Sequence, residues 1–328
     1  MPDARFELST LGEMMLRLSV PAGERLETVT RLDVHPAGAE SNVASLLARL
    51  GRRTCWAGAL PRNPLGRRAA DALRMSGVDL GGVVWREDGR MGTYYVEFGA
   101  PPRGIQVTYD RAGSCATELR PQDVDWEALL DTRLLHLTGI TPALSPSCRE
   151  VTLEALRRAK ERGVPVSFDV NYRSRLWAES EAREALLPMI RGVEVLFCSA
   201  ADAARVFGFH GDAETAAQAM LELSRAHSAV VTFGDQGALL WDGKAWQHEP
   251  ARATQIVDRL GAGDALAAGV IHGWLQGDTS PSLSAGLAAG LRYGVTLAAL
   301  ALSQLGDMVV TDRQELERLS KGGAELTR

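Results

Sequence analysis

The stretch DRLGAGDALAAG, residues 258–269, has the residue types and spacing for phosphate chemistry. Three small residues, Gly261, Ala262 and Gly263, lead directly into Asp264, and apolar residues then follow at helical spacing. Small residues leave backbone N–H groups open at a helix start, and such groups bind anions. An acid in a first helical turn also complements the helix dipole, so these residues alone leave a plain helix start as an alternative.

Two common phosphate-binding motifs are absent from the sequence. A dinucleotide fingerprint needs a third glycine where Leu266 stands, and no lysine is followed by Ser or Thr, as a P-loop requires. Backbone N–H groups at this turn suit the charge that develops on a transferring γ-phosphoryl group. Asp264 then has the position of a general base for an attacking hydroxyl, and the phosphates call for Mg²⁺ and arginines nearby.

Composition indicates an ordinary globular protein. The 328 residues carry a net charge of −5 and 23% charged residues, which gives no support to nucleic-acid binding. The 4 cysteines form neither a C-x-x-C pair nor a zinc pattern. We see no signal peptide and no apolar run of membrane-spanning length, so we predict a cytoplasmic protein without membrane association.

The elements that would position the glycine turn follow an α/β pattern. From about residue 134, short apolar runs alternate with helical segments, which predicts a parallel sheet with crossover helices. The predicted strands are TCWAGAL, RLLHLTGI, VPVSFDVNY, VEVLFCS and AVVTFG. The predicted helices are AESNVASLLARLG, LGRRAADALRMSG, SPSCREVTLEALRRAKERG and DAETAAQAMLELSRAHS. No linker divides the chain, so we predict one domain over residues 1–328.

In the first third of the chain, three segments instead have a residue pattern that alternates with a period near two: LETVTRLDVH, MGTYYVEFG and IQVTYDR. Their β-branched and aromatic residues favour strands. We interpret them as antiparallel strands of a small sheet, at approximately 14–36 and 90–112, inserted into the α/β core as the cover of a site.

Three motifs together resemble those of the ribokinase/PfkB family of carbohydrate kinases. DRLGAGDALAAG is similar to its C-terminal signature, AGAESNVASLLARLG at 37–51 to its N-terminal signature, and TFGDQG at 232–237 to its nucleotide loop. The resemblance covers nearly the whole chain. Within the family, YYVEFG, VTYDRAGSCA, LHLTGITPALSP and DVNYRSRLW are most similar to 2-keto-3-deoxygluconate kinases.

The resemblance implies a ribokinase-like α/β fold: a Rossmann-like core of mostly parallel sheet, with helices on both faces and a small β-sheet lid. It implies phosphorylation of the terminal hydroxyl of 2-keto-3-deoxygluconate with ATP and Mg²⁺. Two alternatives stay open, a kinase for fructose, 5-dehydro-2-deoxygluconate or a related sugar, and a sugar-binding regulator without turnover. The resemblance also implies a homo-oligomer, a dimer or larger, through the lid, and leaves open a monovalent cation (K⁺) near the Asp258 loop.

The resemblance further implies the roles of individual residues. Asp264 matches the catalytic base, and Gly261, Ala262 and Gly263 match the anion hole. The substrate-contacting positions are matched by Gly38, Asn42, Tyr94, Tyr109, Arg111, Ile140, Arg173 and Asp307. The nucleotide-binding positions are matched by Asn171, Arg173, Ser199, Thr232, Gly234, Gly237, Gly261 and Gly263, and Asp202 matches a residue that holds Mg²⁺ through water.

The chemistry of two arginines agrees with these roles. The planar fork of Arg111, beside Tyr109 in a predicted strand, suits the carboxylate of a sugar acid. Arg173 follows a strand end, where open α/β sheets bind their ligands. The sequence departs from the family pattern at Ala37, Arg259 and Asn63, and in the pair Ser199 and Asp202 that replaces N-x-x-E. None of these departures removes the base or the glycine turn.

Overall fold

The computed structural model describes residues 4–99, 102–277 and 283–322. Its strands are β1 (Leu8–Leu11), β2 (Met15–Ser19), β3 (Asp33–Ala37), β4 (Thr54–Pro61), β5 (Val83–Arg86), β6 (Thr93–Glu97), β7 (Gln106–Asp110), β8 (Leu135–Thr138), β9 (Val166–Asp169), β10 (Val195–Ser199), β11 (Ser228–Thr232), β12 (Ala238–Trp241) and β13 (Trp246–Glu249). Its helices are α1 (Ala39–Arg49), α2 (Pro64–Ser76), α3 (Trp126–Leu130), α4 (Thr141–Leu144), α5 (Pro146–Arg162), α6 (Glu179–Met189), α7 (Ala200–Phe207), α8 (Ala213–Ser224), α9 (Ala262–Gln276), α10 (Leu283–Leu302) and α11 (Arg313–Ser320).

Within these ranges, nine strands form one large sheet in the order β13-β12-β11-β10-β9-β8-β1-β4-β5. The strands from β11 to β5 in this order pair in parallel, and β12 and β13 are antiparallel at one edge. Successive residues of a strand point to opposite faces of the sheet. Because apolar residues lie on both faces, helices cover both of them. In β10, Val195 and Phe197 join the apolar cluster of α1, α9 and α10, whereas Leu196 and Cys198 join that of α5 to α8. The predicted α/β fold class is confirmed.

A second, smaller sheet has the order β3-β2-β6-β7; we call it the lid. Its strands lie close to the segments predicted for it, but the β2–β6 pair is parallel rather than antiparallel. The reason is the connection, since the chain passes through β3, α1, β4, α2 and β5 of the structure before it returns as β6. The prediction of a wholly antiparallel lid was therefore wrong.

The predicted strand LETVTRLDVH begins later than expected. Only its last residues, from Asp33, belong to β3. Before them, the backbone N–H groups of Thr28 and Val29 both donate to the carbonyl oxygen of Arg25, at 3.0 and 2.9 Å. These local hydrogen bonds close a turn where alternation alone predicted a strand.

Helices α9 and α10 pack with their backbones in close approach. A Cβ at Gly269 would lie 2.3 Å from the backbone nitrogen of Gly294. Residues Ser284–Leu302 of α10 are long and apolar enough to span a membrane, contrary to the prediction that no apolar run would be. However, 50% of the most apolar stretch of this helix is buried in the protein. Leu287 and Leu291 of α10 lie in the same buried cluster as α9. We therefore assign α10 as a core helix.

This close approach gives a testable expectation for stability. Gly269→Ala should lower the free energy of unfolding by about 1–3 kcal/mol, because the added methyl group must push two packed backbones apart. Urea denaturation measures the change. The control is Gly104→Ala, where an added Cβ meets no heavy atom within 4 Å; it should stay within about 0.5 kcal/mol of wild type. Equal stability of both variants would contradict the packing described here.

Candidate active site

The carboxyl ends of the parallel strands bring polar residues to one edge of the large sheet. Glu13 follows β1, Asp169 ends β9, and the ends of β10 and β11 pair Ser199 with Thr232. Ligands of open α/β sheets bind beyond such ends. A cavity lies between this edge and the lid, because its lining includes Met15 of β2 as well as the residues that follow the core strands.

Every residue predicted to contact the sugar lines this cavity, together with Gly261 of the glycine turn and Asp264. The lining includes Gly38, Asn42, Tyr94, Tyr109, Arg111, Ile140, Arg173, Gly261, Asp264 and Asp307. It also includes residues that sequence analysis did not assign to the substrate: Glu13, Met15, Ala37, Ala39, Glu40 and Leu260. Segments far apart in the chain thus converge on one enclosed space.

The glycine turn is the N-terminus of α9. Gly261 is the N-cap and has a left-handed backbone with φ 83°. A Cβ there would lie 2.5 Å from the backbone oxygen of Asp307, so both the conformation and the space require glycine. Gly263 is exposed, and no heavy atom lies within 4 Å of where its Cβ would be. The helix start is therefore open to an anion.

Asp264 lies in the first turn of α9 and is partly open to the cavity. Burial raises the pKa of its carboxyl group to about 7, against the opposing effects of a hydrogen bond from Asn42 and the charge of Arg173. The Asn42 amide nitrogen donates to Asp264 Oδ2 at 2.7 Å. A carboxylate held in one orientation with a pKa near neutrality has the properties of a general base.

Arg111 pairs with a buried acid on the lid side of the cavity. Its Nη2 donates to Glu13, which also accepts a hydrogen bond from the Ser114 hydroxyl at 3.2 Å. Burial raises the pKa of Glu13 even though Arg111 and Ser114 oppose it. The guanidinium Cζ lies 5.3 Å from the ring centre of Tyr109. The buried Nε of Arg111 has no hydrogen-bond partner among the described residues, so Glu13 does not satisfy every donor of this guanidinium.

Glu40, in the first turn of α1, is a buried structural acid that sequence analysis missed. The hydroxyl groups of Thr138 and Thr141 donate to its Oε1 at 2.8 and 2.7 Å. Burial raises the pKa of Glu40 above its usual range. A Cβ at Gly12 would lie 2.2 Å from Cδ of Glu40, so the acid fills the space left by that glycine. Glu40 therefore ties α1 to the ends of β1 and β8.

Of the residues predicted for the nucleotide, Arg173 and Gly261 line the cavity, and the others lie outside its lining. Asn171, with φ 39°, follows β9, and its backbone N–H donates to Asp169 at 3.1 Å. The Ser199 hydroxyl accepts a hydrogen bond from the backbone N–H of Asp202 at 3.0 Å and so caps α7. Three more members of the set lie at the next strand end, where Thr232 is the last residue of β11 and Gly234 and Gly237 follow it.

In this region Asp264 and Asp202 lie close enough to Asp169 to influence its carboxyl group. Burial, with the charges of Asp264 and Asp202, raises the pKa of Asp169 to about 8, and Arg173 opposes the rise. Burial also raises the pKa of Asp202. In the part of the chain that the structure describes, no three His, Cys, Asp or Glu side chains are grouped to hold a metal directly. This arrangement fits Mg²⁺, which keeps several waters and uses one or two carboxylates with phosphate oxygens.

The departures from the family pattern have local explanations. The Asn63 side chain accepts hydrogen bonds from the backbone N–H groups of Leu65 and Gly66 and caps α2, so it has a structural role. Ala37 ends β3, paired with Met15 of the neighbouring strand. The side chain of Arg259 is exposed.

Comparisons with known proteins agree with this architecture. The family model for pfkB family carbohydrate kinases matches residues 6–313. A 2-dehydro-3-deoxygalactonokinase of Haloferax volcanii is 40% identical over 317 residues, 97% of each chain. A 2-dehydro-3-deoxygluconokinase of Thermoproteus tenax is 30% identical over 84% of each chain. The crystal structure of a 2-dehydro-3-deoxygluconokinase from Thermotoga maritima matches with a TM-score of 0.89 and 33% identity, over 97% of this chain and 99% of that one. The chain therefore belongs to the PfkB family of carbohydrate kinases, phosphotransferases that act on an alcohol group, as its motifs predicted.

Proposed function

We propose that this kinase transfers the γ-phosphoryl group of ATP to the terminal hydroxyl of a 2-dehydro-3-deoxy sugar acid. The observation that carries the proposal is the shared cavity, which is lined both by Asp264 at an open helix N-terminus and by Arg111, whose charged guanidinium is not fully satisfied by the residues that the structure describes. Asp264 can accept a proton from the hydroxyl of any sugar, whereas Arg111 favours a sugar that carries a carboxylate.

The gluconate form, 2-dehydro-3-deoxygluconate, is the substrate that the sequence segments suggest, and its C4 epimer is the second candidate. The name of the relative from Thermoproteus tenax supports the gluconate form, and the name of the relative from Haloferax volcanii supports the C4 epimer, 2-dehydro-3-deoxygalactonate. Both epimers share the carboxylate, the 2-keto group and the terminal hydroxyl, so the contacts proposed here serve either one.

Each side chain has one task in this proposal. Asp264 accepts the proton of the attacking hydroxyl, and Asn42 holds its carboxylate in place. The backbone N–H groups at Gly261, Ala262 and Gly263 stabilise charge on the transferring group. Arg111 binds the substrate carboxylate, while Tyr94 and Asp307 contact sugar hydroxyls from the lid and the core.

The nucleotide is expected along the neighbouring strand ends, at Asn171, Ser199, Thr232, Gly234 and Gly237. Arg173 lines the sugar cavity and is an exposed residue, so it suits both the sugar and the phosphates. Bound Mg²⁺ neutralises phosphate charge, and Asp202 with Asp169 would orient its water shell.

An acceptor panel tests the proposed function. The protein with Mg-ATP is given equal concentrations of 2-dehydro-3-deoxygluconate, 2-dehydro-3-deoxygalactonate, 5-dehydro-2-deoxygluconate and fructose, and ADP release is measured. We expect the highest kcat/KM with one or both of the first two acids. A preference for fructose or 5-dehydro-2-deoxygluconate would mean that the protein is a PfkB kinase for another sugar. If none of the four compounds gave ADP, the protein would instead be a sugar-binding regulator.

The pKa of Asp264 predicts the pH dependence of the reaction. Because the base acts in its charged form and its pKa lies at about 7, kcat/KM should fall about tenfold per pH unit below that value and level off above it. Initial rates between pH 5.5 and 9 in a buffer of constant ionic strength measure the profile. A rate that does not change between pH 5.5 and 7 would contradict the assignment of Asp264 as the base.

Two further expectations stay predictions. We expect a cytoplasmic enzyme, and a dimer formed through the lid, where Ile105 and Tyr109 beside and on β7 are 38% and 37% exposed. Sedimentation velocity tests the dimer, and a monomer at micromolar concentration would contradict it.

A further inference from the structure

Arg17 is a fully buried arginine on β2 of the lid, with an exposed fraction of 0%. Its Nη2 lies 2.6 Å from Asp258 Oδ2, and its Nη1 lies 2.7 Å from Asp307 Oδ1. Its Nε donates to the Ser19 hydroxyl at 2.8 Å, and its Cζ lies 5.2 Å from the ring centre of Phe98. One desolvated cation thus joins the lid to two separate loops of the core.

Asp258 connects Arg17 to the glycine turn. Its Oδ1 accepts a hydrogen bond from the backbone N–H of Leu260 at 3.1 Å, immediately before Gly261. Its Oδ2 accepts one from Gly306 at 3.2 Å in addition to the ion pair with Arg17. The carboxylate therefore fixes the start of the anion-binding loop against the loop that carries Asp307.

Asp307 connects Arg17 to the sugar cavity. Its Oδ2 accepts a hydrogen bond from the Tyr94 hydroxyl at 2.8 Å. Both residues line the cavity, and the backbone oxygen of Asp307 is the atom that excludes a side chain at Gly261. Because Arg17 holds Oδ1 of the same carboxylate, it orients a sugar-contacting group and the glycine turn together.

The residues at Asp258 do not fit the monovalent cation that the family resemblance left open. Both carboxylate oxygens of Asp258 already have partners. The nearby carbonyl oxygen of Leu302 accepts hydrogen bonds from the backbone N–H groups of Val257 and Asp258, at 2.7 and 3.2 Å. A second positive charge at Asp258 would also face the Arg17 guanidinium in a buried, weakly screened place.

We propose that Arg17 is a positioning residue that serves as the internal cation of this site, so that phosphoryl transfer needs no monovalent cation at Asp258. This inference rests on the proposed kinase function for its activity measurements. Arg17 neither touches the reacting atoms nor lines the cavity itself, and it acts through Asp258 and the cavity-lining Asp307.

The wild-type protein provides the first test. Rates with Mg-ATP and the preferred sugar acid are measured in chlorides of tetramethylammonium, sodium and potassium at equal ionic strength. We expect kcat/KM to agree within about twofold across the three salts, because no site selects K⁺. An activation of tenfold or more by K⁺ would overturn the inference while leaving the kinase function intact.

A second measurement needs no turnover and so separates the two claims. The thermal midpoint of the full chain is recorded against the concentration of K⁺, with tetramethylammonium replacing it to hold ionic strength. We expect the same midpoint in both salts, and a rise specific to K⁺ would overturn the inference by itself. A protein inactive with every acceptor would refute the proposed function, and these melting curves would still decide the role of Arg17.

Variants of Arg17 test its positioning role directly. Arg17→Met keeps much of the volume but removes the charge, and it should lower kcat and raise the sugar KM, with a combined loss of 10- to 100-fold in kcat/KM. Low concentrations of guanidinium chloride should restore part of that loss. Unchanged kinetics, or a loss that guanidinium does not relieve, would overturn the proposal, because packing alone does not respond to a free cation.

Two companion variants complete the set. Arg17→Lys retains the charge and should lie between wild type and Arg17→Met, and it replaces Arg17→Met if that variant does not fold. Arg68→Met is the matched control, because Arg68 is an exposed arginine that also contacts the lid, donating to the Val34 carbonyl oxygen at 3.1 Å. The control should keep wild-type kcat and KM.

Discussion

Asp264→Asn is expected to lower kcat at least about 100-fold while leaving ATP affinity nearly unchanged. The amide has the shape of the carboxylate and still accepts the hydrogen bond from Asn42, but it cannot take up the proton of the attacking hydroxyl. Single-turnover rates and calorimetric titration with ATP measure the two quantities separately. Full activity in this variant would refute the role of Asp264 as the base.

The stability of the same variant separates lost chemistry from lost folding. Burial raises the pKa of Asp264 from 3.8 to about 7, so above that pH the folded protein holds a carboxylate that would be better solvated in the unfolded chain. Stability therefore decreases as pH rises from about 4 to about 7, and the neutral amide should avoid that loss. At pH 8 we expect a thermal midpoint equal to or above that of wild type. Asp71→Asn, on an exposed acid of α2, is the control and should alter neither activity nor stability.

Arg111→Met is expected to raise the KM for the sugar acid about 10- to 100-fold, because a hydrogen bond between charged groups contributes roughly 1.5–3 kcal/mol. Binding of the acid and of its neutral methyl ester is compared by calorimetry. The affinity for the ester should change far less than that for the acid. Equal losses for both ligands would mean that Arg111 is structural rather than an anion clamp.

Glu13 complicates this experiment and must be controlled. It is buried beside Arg111, which stabilises its charged form. Removal of the arginine leaves an unpaired buried acid, and such a group takes up a proton or destabilises the fold. The double variant Arg111→Met with Glu13→Gln removes this effect and should still lose far more affinity for the acid than for the ester. Arg103→Met, on an exposed arginine near the lid, should bind the acid like wild type.

The α/β core could be predicted because its signals are local. Ser145 and Gly163 bracket α5 as the sequence suggested, one as N-cap and the other as a left-handed C-cap with φ 65°. The strands β8 to β11 are buried on both faces, and their short continuous apolar runs indicate this in the sequence. The turn before Asp33 escaped prediction, because hydrogen bonds to Arg25 compete there with strand alternation.

Residues of the candidate site that belong to a continuous sequence motif could be predicted. Residues that only tertiary contacts bring to the site were missed. Asp264 and the glycine turn form a continuous motif, and the residues that the family pattern implied for the sugar all line one cavity, although their roles stay predictions. Arg17 and Asp307 are 290 positions apart, so no spacing rule joins them. The one available signal was a charged residue between Leu16 and Leu18 in an apolar strand. Glu13 similarly follows an apolar strand, without any motif around it.

Phosphorus NMR of the reaction product tests the central claim most directly. The protein is incubated with Mg-ATP and 2-dehydro-3-deoxygluconate or its C4 epimer, and the proton-coupled phosphorus spectrum of the new ester is recorded. Transfer to the terminal hydroxyl predicts a phosphorus signal split by the two protons of a CH₂ group, formed together with ADP. A signal split by a single CH proton, or ATP left intact with both acids, would contradict the proposal.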